Sequence, residues 1–474
     1  MSEQKKLSRR DFLNATAFVA AGGLLAACGA APEIIEKEVE KVVTATPGPT
    51  TQAPPPAIAQ IRSSIWGDVN DKQIWDGIAS DFNAAQDKIK LITEQYIEQE
   101  GSGSYYDKIK IGIASGTAPD IFYMQGFIWG PYADNKLVRP IDDLIARDDF
   151  NAPYPDIDNY NDNSKWKGET YLTPVNTGSV IMYYNKDVFD LFGVPYPEEG
   201  WTYEDFQEKV IAMSSEKDGV PYYGFANAGG WSGIYARALH WMRKDGVLEW
   251  DTIVEPKTAQ LVQDEIIDAL QWTIVDATKN GWTPAPAALA GGGLTIASGQ
   301  VAMTYEGPWY LPNMSGAGAE KEGGVNFDVI HMPFGKSGKD ETVAEIAGFM
   351  INAATEYVDE AWEWIKFNTT DEAQTHVAKG GRMCHLPETI DKIWAPLAQE
   401  EYNFSNAKWF ANSMATGRNP IISGEGSDLF AMMLTGTPLG FAWDSMISGQ
   451  VSAREAIEKA NPECQAILDA YWKG

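Results

Sequence analysis

The sequence predicts an α/β protein divided into two domains, with mostly parallel sheets flanked by helices. Three observations lead there. From residue 58 onward, short apolar runs rich in β-branched residues alternate with stretches of helical periodicity, the pattern of β-α-β units. The 474 residues exceed what one small core organises. The composition, 44% hydrophobic and 22% charged, is that of an ordinary globular chain.

Residues 1–28 read as an address separate from the fold. Lys5, Lys6, Arg9 and Arg10 make a basic start, and Ser8-Arg9-Arg10-Asp11-Phe12-Leu13 matches the twin-arginine export pattern. The apolar run Phe18 to Ala27 is too short for a dedicated spanning helix and ends in Leu25-Ala26-Ala27-Cys28. That ending resembles a bacterial lipoprotein box, which implies a lipidated Cys28 and attachment to the outer face of the cytoplasmic membrane. Residues 29–57 alternate acidic and basic side chains and then become rich in Thr and Pro, a tether composition that buries no core.

The folded part begins with a strand over Ile61 to Trp66, followed by Gly67-Asp68. Ile74, Ile78 and Phe82 then recur every four residues, as a helix covering that strand requires. A second strand is expected over Ile89 to Ile97, a helix from Tyr105 to Ala114 stopped by Gly116, and a third strand from Asp120 to Met124 entered through Pro119. The stretch from Tyr171 to Phe206, YLTPVNTGSVIMYYNKDVFDLFGVPYPEEGWTYEDF, is expected to start extended and turn-rich around Pro174 and Asn176-Thr177-Gly178. A buried strand over Val180 to Tyr184 follows, ended by Asn185-Lys186-Asp187. Thr202 then caps a helix, with Asp205 three residues on in a capping box. Further strands are expected over Tyr222 to Phe225, Val301 to Tyr305, Phe327 to Met332 and Glu345 to Asn352, the last interrupted by Gly348. Helices are expected over Tyr235 to Met242 and Thr258 to Asn280, on the face Val358, Ala361, Trp362 and Ile365, and over Asp371 to Lys379. Beyond Pro387 the chain reads as mainly helical.

The words YYNKDVF and FGVP before a capped helix, IASGTAPDIFYM before the third strand, and ASGQVAMTYEGPW together resemble the extracellular solute-binding proteins of ABC importers, in particular the carbohydrate group that includes maltose-binding protein. Motif support runs from Ile58 to Pro387. The resemblance implies a two-lobed periplasmic-binding-protein-like fold with a ligand cleft between the lobes. Lobe 1 would comprise residues 58–172 plus about 336–390, and lobe 2 residues 173–335 plus about 391–474. It also implies an exported, membrane-anchored, monomeric receptor whose partners are a carbohydrate and the membrane subunits of an ABC permease.

In doubly wound sheets a ligand crevice lies beyond the carboxyl ends of the strands. Trp66 with Asp68, Gln125, Asn176, Trp231, and Glu306 with Trp309 all occupy such positions. Flat aromatic rings beside Asp, Glu, Asn and Gln match a pyranose, which offers apolar C–H faces and a rim of hydroxyls. A core or rim packing role competes with binding for each Trp, but Trp231 and Trp309 stand in Gly/Pro loops and match family positions near the sugar. Arg382 is expected to contact either the ligand or the other lobe.

Other chemistries read poorly. The formal net charge of −29 argues against a nucleic-acid partner, which needs clustered Lys and Arg. His240, His331, His376 and His385 show no paired spacing, so no metal site or cofactor is expected. Gly335-Lys336-Ser337 lacks the upstream glycine of a phosphate loop, Gly316-Ala317-Gly318 has Lys321 where a dinucleotide fingerprint needs Gly, and the Asp156 to Asn163 run lacks a calcium loop's glycine and Glu. Cys384 and Cys464 are expected as unpaired, packed thiols. The alternatives left standing are a secreted lipoprotein glycosidase, which would need two carboxylates across a cleft, and a receptor for a non-sugar solute such as a polyamine.

Overall fold

Two sheets organise the protein. The computed structural model describes residues 58–473 apart from 68, 97–104, 127–128, 151–159, 161–162, 227–232, 254, 290–293, 315–324 and 418–436. The strands are β1 (Ala59–Trp66), β2 (Ile89–Tyr96), β3 (Ile121–Gln125), β4 (Lys165–Trp166), β5 (Glu169–Thr170), β6 (Thr173–Ser179), β7 (Ile181–Asn185), β8 (Glu216–Lys217), β9 (Val220–Pro221), β10 (Met303–Glu306), β11 (Phe327–Ile330) and β12 (Ala344–Ile351). The larger sheet runs β2-β1-β3-β12-β6 and the smaller β10-β7-β11, while β4-β5 and β8-β9 are small hairpins.

In the larger sheet β1 pairs parallel with β2 and β3, each crossover being a helix: Val69–Ala85 between β1 and β2, and Tyr105–Ser115 between β2 and β3. The Val69–Ala85 helix buries Ile74, Ile78 and Phe82 as its periodicity requires. Phe82 and Trp364 meet edge to face with ring centres 5.4 Å apart, which brings in the helix Val358–Asn368. β12 joins antiparallel to β3, and β6 pairs antiparallel with β12, so β6 runs in the direction of the parallel strands. The smaller sheet is antiparallel throughout, extended only by the parallel bridges Tyr223↔Val301 and Ala226↔Thr304. A mostly parallel sheet in each lobe therefore holds for β2-β1-β3 and not for the smaller sheet. The reason lies in β7, its central strand. The chain enters β7 straight from β6 without a crossover helix, so its direction is inherited from the larger sheet.

Strand alternation splits the core in two. Tyr123, Ala347, Phe349 and Ile351 face one apolar cluster with Ile74, Trp75 and Trp362. Phe122, Met124, Ile346 and Met350 face a second, which continues into Tyr183, Val329 and Phe410 around the smaller sheet. All described elements belong to one compact unit, Pro56–Gly474.

Several expectations shift. The turn-rich start of the central stretch is strand β6, held by pairing from Ala344↔Ser179 to Phe349↔Thr173. Residue 173 thus begins a strand of the larger sheet, and the chain changes sheets at Val180. The Tyr222–Phe225 strand is reduced to the two bridges already named. The long helix over Thr258 to Asn280 starts later, at Asp264, because Trp250 pairs with Ala259 and holds the preceding residues extended. It then passes through a π-helical segment at Gln271–Asp276. The capping box of the helix Tyr203–Ala212 forms as expected, Thr202 Oγ1 accepting from Asp205 N–H while Asp205 accepts from Thr202 N–H. Cys384 and Cys464 are free and buried.

After β12 and the helices Val358–Asn368 and Asp371–Lys379, the chain leaves the larger sheet again. Thr177 still bridges Met383, but Phe410 of the helix Lys408–Thr416 packs on Tyr183 of the smaller sheet. The final helix, Ala453–Lys473, lies on the smaller sheet's side, where Asn461 and Gln465 accept from the backbone N–H groups of Leu261 and Ala259. Its last turn reaches back: the Tyr471 hydroxyl donates to Asp134 Oδ2 (2.7 Å), and Asp134 Oδ1 takes Trp166 Nε1–H (2.8 Å). Among the described residues no helix is long and apolar enough to cross a membrane.

Candidate functional site

The site forms at the edge of the larger sheet where the chain passes to the smaller one. β1 ends in Trp66 and β3 in Gln125, both at the carboxyl ends of parallel strands. β12 pairs Ala347 with Gln125 on one side and with Asn176 on the other, so all three share one face. The register then slips by a β-bulge between Ala347 and Gly348, which lets β6 curl over this edge. Two residues along β12 on the same face stands Glu345, opposite Gly178.

The two amides on this face are held through their carbonyl oxygens. The Tyr106 hydroxyl donates to Gln125 Oε1 (2.9 Å) and the Tyr123 hydroxyl to Asn176 Oδ1 (2.6 Å). Burial raises the Tyr123 phenol well above its ordinary value, so it stays a donor. With both carbonyl oxygens occupied, the NH₂ groups of Gln125 and Asn176 carry no hydrogen bond within the described residues. Glu345 supplies the complement. Its Oε2 is buried without a hydrogen-bond partner among the described residues, and burial pushes its carboxyl up to about 7 against a smaller downward pull from Arg382.

Trp309 covers the same face from the other side. It stands in the Pro308–Tyr310 turn just after β10, and its indole N–H donates to Glu306 Oε2 (3.1 Å). A Cβ at Gly178 would lie 2.7 Å from Trp309 Cζ3, so glycine is needed for the ring to lie on β6. Because Gly178 pairs with Glu345, ring and carboxyl flank one register position. Trp309 is half-buried and Glu306 buried.

Arg382 is committed to another carboxylate. Its Nε and Nη2 each donate to Asp71 at 2.9 Å in a two-pronged pair, and its guanidinium carbon sits 5.9 Å from the Trp66 ring centre. Gly67, at φ 119°, lets the chain turn against Asp71, since a Cβ there would lie 2.0 Å from Asp71 Oδ2. Arg382 thus braces Trp66 and Asp71. The Trp66 indole N–H is buried with no hydrogen-bond partner among the described residues. Trp66, Gln125, Asn176, Glu306, Trp309 and Arg382 therefore gather at one edge, whereas Asp68, Trp231 and Cys28 lie outside the described residues.

Sequence reasoning missed Glu345, Asp71 and Tyr123 as site residues. One signal was available for Glu345, a lone acid in the otherwise apolar strand AEIAGFMI. Asp71 and Tyr123 gave none, because register and helix packing alone bring them here. The histidines serve the fold: His376 pairs with Asp81 (2.7 Å), and His240 is buried on the Asp340 carbonyl, burial pulling its imidazole down to about 3.

Two sheets joined by repeated crossings, with a polar and aromatic edge between them, define a two-lobed α/β binding fold. The chain belongs to the family of bacterial extracellular solute-binding proteins, which matches residues 66–375. A maltotriose-binding protein of Pyrococcus abyssi is 24% identical over 431 residues, covering 86% of this chain and 80% of that one. The sn-glycerol-3-phosphate-binding periplasmic protein UgpB of Escherichia coli strain K12 is 23% identical over 183 residues, 37% of each chain. Among solved structures, the substrate-binding protein Lmo0181 of Listeria monocytogenes, in complex with cycloalternan, superposes with a TM-score of 0.70 at 17% identity, covering 87% of this chain and 99% of that one. The GacH receptor of Streptomyces glaucescens does so at 0.66 and 18%, with the same coverage.

Proposed function

We propose that this chain is the receptor of an ABC importer, capturing a neutral sugar or oligosaccharide in the interlobe cleft and delivering it to a membrane permease without chemical change. The observation that carries the reading is the mixed edge around Gly178. An indole ring offers a flat apolar face, Gln125 and Asn176 offer N–H donors, and Glu345 offers an acceptor. A sugar hydroxyl both donates and accepts, so it satisfies all of these groups at once. A polyamine presents donors alone and would leave the two amide NH₂ groups facing more donors. The maltotriose and cycloalternan of the similar proteins belong to the same chemical class.

Lobe 1 then comprises residues 58–179 with β12 and the two helices after it, and lobe 2 comprises β7 to β11 with the C-terminal helices. The crossings lie at Val180, within residues 331–343, and after Met383. Residues 1–28 act as a twin-arginine export signal, Cys28 carries the lipid, and residues 29–57 hold the monomeric receptor off the membrane. A thermal-shift screen of the protein from residue 58 against maltotriose, mannobiose, mannotriose, acarbose and cycloalternan tests the reading. A saccharide present at a hundred times its Kd adds about 2.7 kcal/mol of stability. Stabilisation by none of them, or hydrolysis of one that binds, would overturn it.

A further inference from the structure

Resting on that reading, we propose that Glu345 is a ligand-contacting residue of the cleft, the acceptor for a pair of hydroxyls on the bound saccharide, and that it bars solutes carrying phosphate or carboxylate.

The placement carries the argument. Glu345 stands on the face shared by Asn176 and Gln125, one register step from Asn176 and opposite the glycine on which Trp309 lies. Its Oε2 is sealed from water, yet among the described residues no donor reaches it. A buried acceptor without a donor costs free energy that a purely structural role would have removed, and such residues persist where a ligand supplies the missing partner. The nearest cation does not serve, because Arg382 directs its Nε and one terminal nitrogen to Asp71. The side-chain donors on this face that carry no hydrogen bond among the described residues are the amides of Gln125 and Asn176. Two hydroxyls on adjacent carbons of a sugar would donate to the two Glu345 oxygens and accept from those amides.

The charged and titratable groups facing Glu345 set the sign of the selectivity. They are Arg382 after the Asp371–Lys379 helix and Tyr123 of β3, with Asp71 of the Val69–Ala85 helix occupying Arg382. Two carboxylates, Glu345 and Asp71, thus share one arginine, and that arginine is already paired with Asp71. An anionic solute would meet Glu345 with no cation among the described residues acting on it besides the paired Arg382. Burial holds the Glu345 carboxyl up to about 7, so a ligand that donates two hydrogen bonds to it favours the ionised form, and the proton leaves to the buffer.

The experiment is calorimetry on the protein from residue 58 with a saccharide identified by the thermal-shift panel, maltotriose first, at pH 6 and pH 8, with sn-glycerol 3-phosphate as the anionic probe. Affinity should be about tenfold weaker at pH 6 than at pH 8, and at pH 6 the binding heat should vary with the buffer's ionisation enthalpy, reporting proton release. Glu345→Gln should weaken saccharide binding at pH 8 by about 10- to 100-fold and abolish both the pH dependence and the proton release. Glu345→Asp, should the Gln variant fail to fold, should weaken binding while keeping the pH dependence. Saccharide binding with unchanged affinity in Glu345→Gln, or without proton release in the native protein, would overturn this inference and leave the receptor reading standing. Binding of sn-glycerol 3-phosphate as tightly as any saccharide would overturn the exclusion of anions. Absence of binding by every saccharide overturns the receptor reading and this inference together.

Discussion

Replacing Glu345 by Gln should make the empty protein more stable at pH 8 and leave it nearly unchanged at pH 4. In the folded chain the carboxyl keeps its proton up to about pH 7, against an ordinary value of 4.5 in the unfolded chain. Between those two values the native state holds a proton that the unfolded state has released, so this group's contribution to stability falls as pH rises. Each pKa unit is worth about 1.4 kcal/mol, and the side chain keeps some contact with water, so a discounted loss of about 1–2 kcal/mol by pH 8 is the working figure. Gln has the same shape, takes no charge and carries none of this penalty. Several other carboxyls are shifted the opposite way. Asp245 is one: burial would raise it, but its hydrogen bond to Lys244 and the Lys336 backbone N–H bring it below its usual range. The pH profile of the native protein therefore mixes both signs, and the difference between the two proteins isolates Glu345. Thermal unfolding at pH 4 and pH 8 reads it directly, with Glu345→Gln expected to gain about 2–4 °C at the higher pH only. An equal change at both pH values, or destabilisation at pH 8, would refute the reasoning and mean that Glu345 is partnered in solution.

Trp309→Ala should weaken saccharide binding by about 1–3 kcal/mol in calorimetry while leaving the fold intact, since the ring lies half-exposed on Gly178 and Glu306. Small-angle scattering should give a smaller radius of gyration for the loaded protein, because the crossings at Val180 and residues 331–343 allow the lobes to rotate; an identical radius would leave a rigid pocket. Cys28→Ala in the full chain should move the protein from the membrane fraction to the soluble one, and unchanged pelleting would place the anchor elsewhere.

The parts of the fold legible in the sequence were those set by local rules. The helix covering β1 followed from the four-residue apolar spacing of Ile74, Ile78 and Phe82, and Thr202 with Asp205 announced a helix start through a motif complete within four residues. What escaped was set by pairing between distant segments. β6 contains Pro174, Asn176 and Gly178, poor strand formers all, and is a strand because β12 supplies its partners. The candidate site divides the same way. Trp309 and Glu306 were visible as an acid and an aromatic just beyond a strand, but the stacking of Trp309 on Gly178 joins two lobes and no local pattern records it. The partner of Arg382 was not legible, since Asp71 sits on a helix early in the chain, far from it in sequence.

The bond from Tyr471 to Asp134 sets a geometric condition on any opening of the cleft. Asp134 follows β3 of the larger sheet, whereas Tyr471 stands in the last turn of a helix fastened to Leu261 and Ala259 through Asn461 and Gln465. A rigid rotation leaves in place only the points on its axis. Either that axis passes close to Asp134 as well as the crossings, or the phenol must let go on every cycle. In the first case the receptor swings like a door with a third pin far along its frame, which removes twist and leaves a single bending coordinate. In the second the chain's last turn is a catch whose release adds to the work of opening, and the partition between open and shut receptor would shift when Tyr471 loses its hydroxyl.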